Sequence, residues 1–188
     1  MFSKRILIPL ACLTFSGIAT GAYPAYLRLE GNFHTVVKGQ LYRSAQPSPS
    51  QLEAYVRDHG IRSVINLRPP REKGTWYSAE VATAQRLGLR HVDFPMSASK
   101  VLSPQRADEL VRLMASLPKP ILVHCQAGAD RTGLASALYG NRIAGLDEEA
   151  AERQLSFYFG HVGIPRLSAA YAMDESWEDL EEHARTAG

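Results

Sequence analysis

The sequence predicts an α/β domain built on a central, largely parallel sheet flanked by helices. Three observations lead there. Short apolar runs such as IRSVINL (residues 61–67) and ILVH (residues 121–124) have the length of buried strands. Between them stand segments of helical periodicity, two of them opened by Ser-Pro and closed by Gly or Pro. Strand and helix alternate along the chain, which favours parallel pairing through crossover helices. With 188 residues, 45% hydrophobic and 21% charged, the chain suffices for one domain with its own core. A formal charge of +2 and the lack of a dense Lys/Arg run interleaved with aromatics argue against a nucleic-acid partner.

Residues 1–30 read as a targeting element and residues 31–188 as the domain. Lys4 and Arg5 precede an uncharged stretch from Ile6 to Leu27. One reading is a cleaved signal peptide with small residues at Thr20 and Ala22. The other is an uncleaved anchor of about the ~20 residues that span a bilayer, with Tyr23 and Tyr26 as an interfacial belt and the basic pair on the cytoplasmic side. Pro9, Gly17, Gly21 and Pro24 weigh against the anchor. Both readings export the domain, either held on the inner membrane facing the periplasm or soluble in the periplasm. Cys12 falls in this segment, so Cys125 is the single cysteine of the domain and no internal disulfide can form.

Within the domain, apolar pieces around Val36 and Leu41, with Gly39 between, suggest an opening β-hairpin. Ser48 and Pro49 start a helix bearing Leu52, Tyr55 and Val56 on one face and ending at Gly60. The strand from Ile61 to Leu67 is followed by a basic loop, a helix from Trp76 to Leu87 and a short strand from His91 to Phe94. Ser103 and Pro104 open the next helix, with Ala107, Leu110, Val111 and Met114 at helical spacing, ended by Pro118 and Pro120. ILVH then runs directly into HCQAGADRTG, and a helix follows from Thr132 to Ile143. Two more helices are expected, Asp147 to Phe159 and an acidic, solvated one from Asp174 to Ala187.

A loop between a buried strand and a helix start exposes unpaired backbone N–H groups backed by the helix dipole, which makes an anion site. Gln126, Ala127, Gly128, Ala129 and Asp130 would aim their amides at one point, and Arg131 adds a two-pronged donor suited to two phosphate oxygens. Cys125 lies in this positive field, which favours the thiolate and makes it the candidate nucleophile. Thr132 could donate to the sulfur as it departs, and His124 is expected to steady the loop through ring hydrogen bonds to backbone. Neither a cofactor nor a metal is called for.

HCQAGADRTG resembles the HCxxGxxR(S/T)G signature of cysteine-dependent protein tyrosine and dual-specificity phosphatases. FHTVVKGQLYRSAQPS together with VINLR is similar to their atypical bacterial, plant and fungal branch. The resemblance implies a phosphatase-like fold with a strand, phosphate loop and helix at its centre, and hydrolysis of phosphate monoesters through a phosphocysteine. It implies a phosphorylated protein substrate, with Cys125 as nucleophile and Arg131 as clamp on the transferring group.

Protonating the leaving group needs an acid. Asp93 has the family's usual spacing before the cysteine, although it sits in a strand and the following loop carries no carboxylate. Asp130, inside GADRTG, is similar to the loop aspartate of myotubularins and of some bacterial phosphatases with mixed protein and lipid activity. Arg68, Arg71 and Lys73 with Trp76 and Tyr77 could line the mouth. His161 and Arg166 are given no role. An inositol-phosphate or phosphoinositide phosphatase and a non-catalytic phosphopeptide-binding module are the competing readings; Gln126 and Ala129, where phosphoinositide-directed relatives often carry Lys, weigh against the first.

Overall fold

A computed structural model describes residues 22–69 and 74–187. The apolar segment up to residue 21, including Cys12, lies outside the described residues, as do Arg71 and Lys73. Residues 22–29 form helix α1, whose Leu27 is buried and whose Tyr23 hydroxyl donates to the Tyr158 carbonyl at 2.9 Å. The tail of the uncharged stretch thus packs on the domain. Among the described residues, no helix is long and apolar enough to cross a membrane.

The strands are β1 (His34–Val37), β2 (Leu41–Ser44), β3 (Ser63–Asn66), β4 (Arg90–Asp93) and β5 (Ile121–His124). The helices after α1 are α2 (Pro49–His59), α3 (Thr75–Arg86), α4 (Pro104–Ser116), α5 (Asp130–Arg142), α6 (Glu148–Glu152) and α7 (Ala172–Ala187). The sheet order is β1-β2-β5-β3-β4; β1 and β2 form the expected antiparallel hairpin and the other pairs are parallel. β5, the most apolar strand, is central, and Ser44 of β2 and Asn66 of β3 end in register with its His124.

Side-chain alternation divides the core between the two faces. Leu41, Ile65, Ile121 and Val123 enter the larger cluster with α4, α5 and α7, whereas Tyr42, Val64 and Leu122 enter the smaller one against Leu52 of α2. The Ser-Pro starts behave as read: the Ser48 hydroxyl accepts from the Gln51 amide in a capping box, and Ser103 accepts from Arg106.

Two expectations fail. The helix after Asp147 ends at Glu152, and the chain continues through turns to a 3₁₀ turn at Phe157–Phe159. Its Gln154 carbonyl accepts from Arg43 instead of continuing a helical ladder. The C-terminal helix is not a solvated outer element either, because Met173, Trp177 and Leu180, at helical spacing, are buried in the main core.

Candidate active site

β5 delivers the site. His124 points to the α3 side, like Leu122 two residues earlier, and Cys125 follows at the strand end, 2% exposed in the main core. The loop then wraps into α5. Helices α2, α4 and α6 are capped by the side chains of Ser48, Ser103 and Asp147, but Ala129 at the N-cap of α5 makes no side-chain cap. The first-turn amides of α5 therefore have no side-chain acceptor at their cap.

The direction of those amides follows from where the carbonyls go. The Gln46 amide donates to Gln126 O at 3.4 Å, and Asn32 Nδ2 donates to Ala127 O at 2.9 Å. Arg43 Nη2 donates to Gly128 O at 2.9 Å and Ala129 O at 3.1 Å. In a trans peptide the next N–H points opposite to the carbonyl, and all four peptide bonds are trans. The N–H groups of Ala127, Gly128, Ala129 and Asp130 thus face away from Asn32 and Arg43, as a nest of donors.

Gly128 makes this wrap possible. Its φ is +71°, and a Cβ there would lie 2.5 Å from the Ala45 amide nitrogen and 2.6 Å from the Ser44 carbonyl carbon. Gly133 closes the signature for a different reason: a Cβ there would lie 2.8 Å from the Gln154 carbonyl oxygen.

Arg43 is fully buried, on the same face of β2 as Leu41. Nη1 donates to Gln154 O at 2.8 Å and Oε1 at 2.9 Å, and the guanidinium lies 4.0 Å from the centroid of Phe159. Burial pulls its pKa down to about 9, against the opposing pull of Cys125 and Asp130. It remains a cation at neutral pH, placing a positive charge beneath the loop.

Arg131 touches the Met96 carbonyl through Nη1 at 3.5 Å, and its Nε is buried without a partner among the described residues. Among the described residues the Thr132 hydroxyl, likewise buried, finds no hydrogen-bond partner, Cys125 included. His124 departs from expectation: its Nε2 pairs with Glu80 Oε1 at 3.1 Å rather than with backbone. Glu80 also meets His91 at 2.8 Å and the Gln46 side chain. Burial alone would raise the Glu80 pKa, but His124 and His91 overcome this and hold it at about 2.

Asp93 ends β4, two strands from β5, in register with Asn66. Both its oxygens are engaged, one by Asn66 Nδ2 at 2.8 Å and the other by the Tyr77 hydroxyl. That hydrogen bond, with burial, pushes the Tyr77 pKa up to about 12. Asp130 stands at the opening of α5, and its Oδ1 lies 2.8 Å from His161 Nδ1. The other ring nitrogen of His161 is 2.9 Å from Asp174 Oδ2. Tyr77 is thus tied to Asp93, while Arg68 reaches Gln46 Oε1 at 3.1 Å and lies 3.9 Å from the centroid of the Trp76 ring. Arg166 lines a surface pocket of about 580 Å³ between Ser99 and Glu175 that contains no residue of the loop.

Sequence reasoning did not reach Asn32, Arg43, Glu80 and Asp174, and it gave His161 no role. Only Arg43 carried a signal, a charge at the inward parity of the β2 strand LYRS.

The profile of the tyrosine phosphatase family matches residues 25–154. Dual specificity protein phosphatase TpbA of Pseudomonas aeruginosa (strain UCBPP-PA14) is 30% identical over 133 residues, which are 70% of this chain and 57% of TpbA. The chain thus spans little more than half the length of the curated relatives it matches. The crystal structure of P. aeruginosa TpbA aligns with a TM-score of 0.58 at 22% identity, over 81% of this chain and 92% of that one. The core catalytic domain of the PP-IP phosphatase SIW14 from S. cerevisiae, in complex with citrate, aligns with a TM-score of 0.61 at 20% identity, over 83% of this chain and 91% of that one. The two solved structures share the fold, and the family profile covers the greater part of the sequence: this chain belongs to the tyrosine phosphatase family.

Proposed function

We propose that the protein hydrolyses phosphotyrosine in proteins, and phosphoserine or phosphothreonine more slowly, through a phosphocysteine on Cys125. The observation that carries this reading is the set of four loop carbonyls held by Gln46, Asn32 and Arg43, which turns four N–H groups to the opposite side. Those donors and Arg131 would hold the phosphoryl oxygens most tightly in the transition state. Cys125 Sγ attacks phosphorus, the bond to the leaving oxygen breaks, and that oxygen takes a proton. Water then cleaves the S–P bond, returning the thiolate and releasing phosphate.

Asp130 is the better proton donor. It lies within the loop, whereas both oxygens of Asp93 already accept hydrogen bonds. Hydrolysis of para-nitrophenyl phosphate that vanishes in Cys125→Ser supports an enzyme; its absence leaves a phosphopeptide-binding module. A panel of phosphotyrosyl peptide, phosphoseryl peptide, inositol polyphosphate and phosphoinositide then fixes the substrate class. We expect kcat/KM for the phosphotyrosyl peptide to lead by about tenfold or more. A lead for either inositol substrate would replace this reading by the lipid or inositol one.

Export by the N-terminal segment is part of the same proposal, supported by the basic pair before an uncharged run. Alkaline phosphatase fused after Gly31 should be active in cells; an inactive fusion would keep the domain in the cytoplasm.

A further inference from the structure

Asp130 heads a chain of three titratable groups from three parts of the fold. Asp130 opens α5, His161 follows the Phe157–Phe159 turn, and Asp174 sits in the first turn of α7. The His161 side chain is 2% exposed, and each ring nitrogen is within 2.9 Å of a carboxylate oxygen. Space beside it is closed too, since a Cβ on Gly163 would fall 2.0 Å from Asp174 Oδ2. A histidine placed only for packing does not need two carboxylates, one of them in the phosphate loop.

We infer that His161, oriented by Asp174, is a positioning residue that holds the proton Asp130 delivers to the leaving group. This rests on the reading of Asp130 as the acid. With both ring nitrogens protonated, Nδ1–H donates to Asp130 and Nε2–H to Asp174. The Nδ1 proton passes to the Asp130 carboxylate and from there to the leaving oxygen, as the bond between that oxygen and phosphorus breaks. The ring is left neutral, with Nε2–H still on Asp174. When water attacks the phosphocysteine, its proton returns through Asp130 to Nδ1. The charged groups facing the ring are Asp130 from α5 and Asp174 from α7, and Arg43 is the cation whose charge also reaches Asp130. Burial disfavours the imidazolium, but its hydrogen bonds to the two carboxylates prevail and raise the His161 pKa. An isolated carboxyl group releases its proton at lower pH than an imidazolium does.

The test compares kcat from pH 5 to 9 on a poor leaving group, phenyl phosphate, and a good one, difluoromethylumbelliferyl phosphate. The proteins are the wild type, Asp130→Asn, His161→Asn, Asp174→Asn and the Asp130→Asn/His161→Asn double variant, with vanadate affinity as the check on an intact loop. In His161→Asn, the ratio of poor- to good-substrate kcat at pH 7 should fall about tenfold and the basic limb should move to lower pH. Asp174→Asn should shift both in the same direction, and His161→Asn should add nothing to Asp130→Asn. If Asp130→Asn lowers the ratio while His161→Asn and Asp174→Asn leave ratio and limb in place, or slow both substrates equally, the relay is overturned and Asp130 stands as the acid. If Asp130→Asn leaves the ratio in place, the reading of Asp130 falls and the relay with it.

Discussion

Arg43 Nη2 lies 2.9 Å from the carbonyl oxygen of Gly128, a residue 85 positions further along the chain. One buried guanidinium fixes two successive loop peptides and, through Gln154, the segment leaving α6. Arg43→Met removes these donors and strands their carbonyls. Stability should fall by about 3 kcal/mol, the order expected when a buried charge-assisted network loses its partner. kcat/KM should fall about 100-fold as the loop amides lose their orientation. Arg43→Lys keeps the charge but not the fork, so it should recover stability better than rate. Urea unfolding and steady-state kinetics on the two variants check both statements.

Gly128→Ala combines a left-handed φ with a backbone clash, so the loop must move. We expect a loss of about 2 kcal/mol or more and a loss of vanadate binding measured by titration. A variant with wild-type vanadate affinity would mean that the loop tolerates another path.

Glu80 links α3 to His124, the residue before Cys125. Its folded pKa of about 2 lies below its ordinary value of 4.5, so the stability it contributes is present above pH 4.5 and lost as pH falls through about 2. Glu80→Gln should cost about 3 kcal/mol at pH 7. The urea midpoints of wild type and variant should converge as pH is lowered from 5 towards 2. A constant gap would show that the carboxylate charge is not the source.

His161 has the opposite sign. Its folded pKa is raised, so its contribution is complete below 6.5 and declines as pH rises through the folded value. The stability difference between wild type and His161→Asn should be largest near pH 6 and shrink towards pH 9. Thermal unfolding across that range measures it directly, and a difference that grows with pH would refute the assignment of a charged ring.

The place of the loop between β5 and α5 was legible because its signals are local: Cys125, Gly128, Arg131, Thr132 and Gly133 follow an apolar strand and lead into an apolar-periodic helix. The element order was legible for the same reason, through Ser-Pro starts and short apolar runs. What orients the loop was not. Asn32 is 95 residues from the Ala127 carbonyl it holds, and His161 is 31 from Asp130; no periodicity links such pairs. The helix after Asp147 was overextended because its composition continues to suit a helix, while the fold turns Gln154 towards Arg43. The acidic face of α7 concealed Met173, Trp177 and Leu180, whose burial only the tertiary packing reveals.

In the proposed reaction Cys125 carries the phosphoryl group between the two steps. Acid quench of the enzyme within milliseconds of mixing with a ³²P-labelled phosphotyrosyl peptide, followed by peptide mapping, tests it most directly. Label is expected on the peptide that contains Cys125 and none in Cys125→Ser. Turnover without a labelled enzyme, or label that persists in Cys125→Ser, would contradict it.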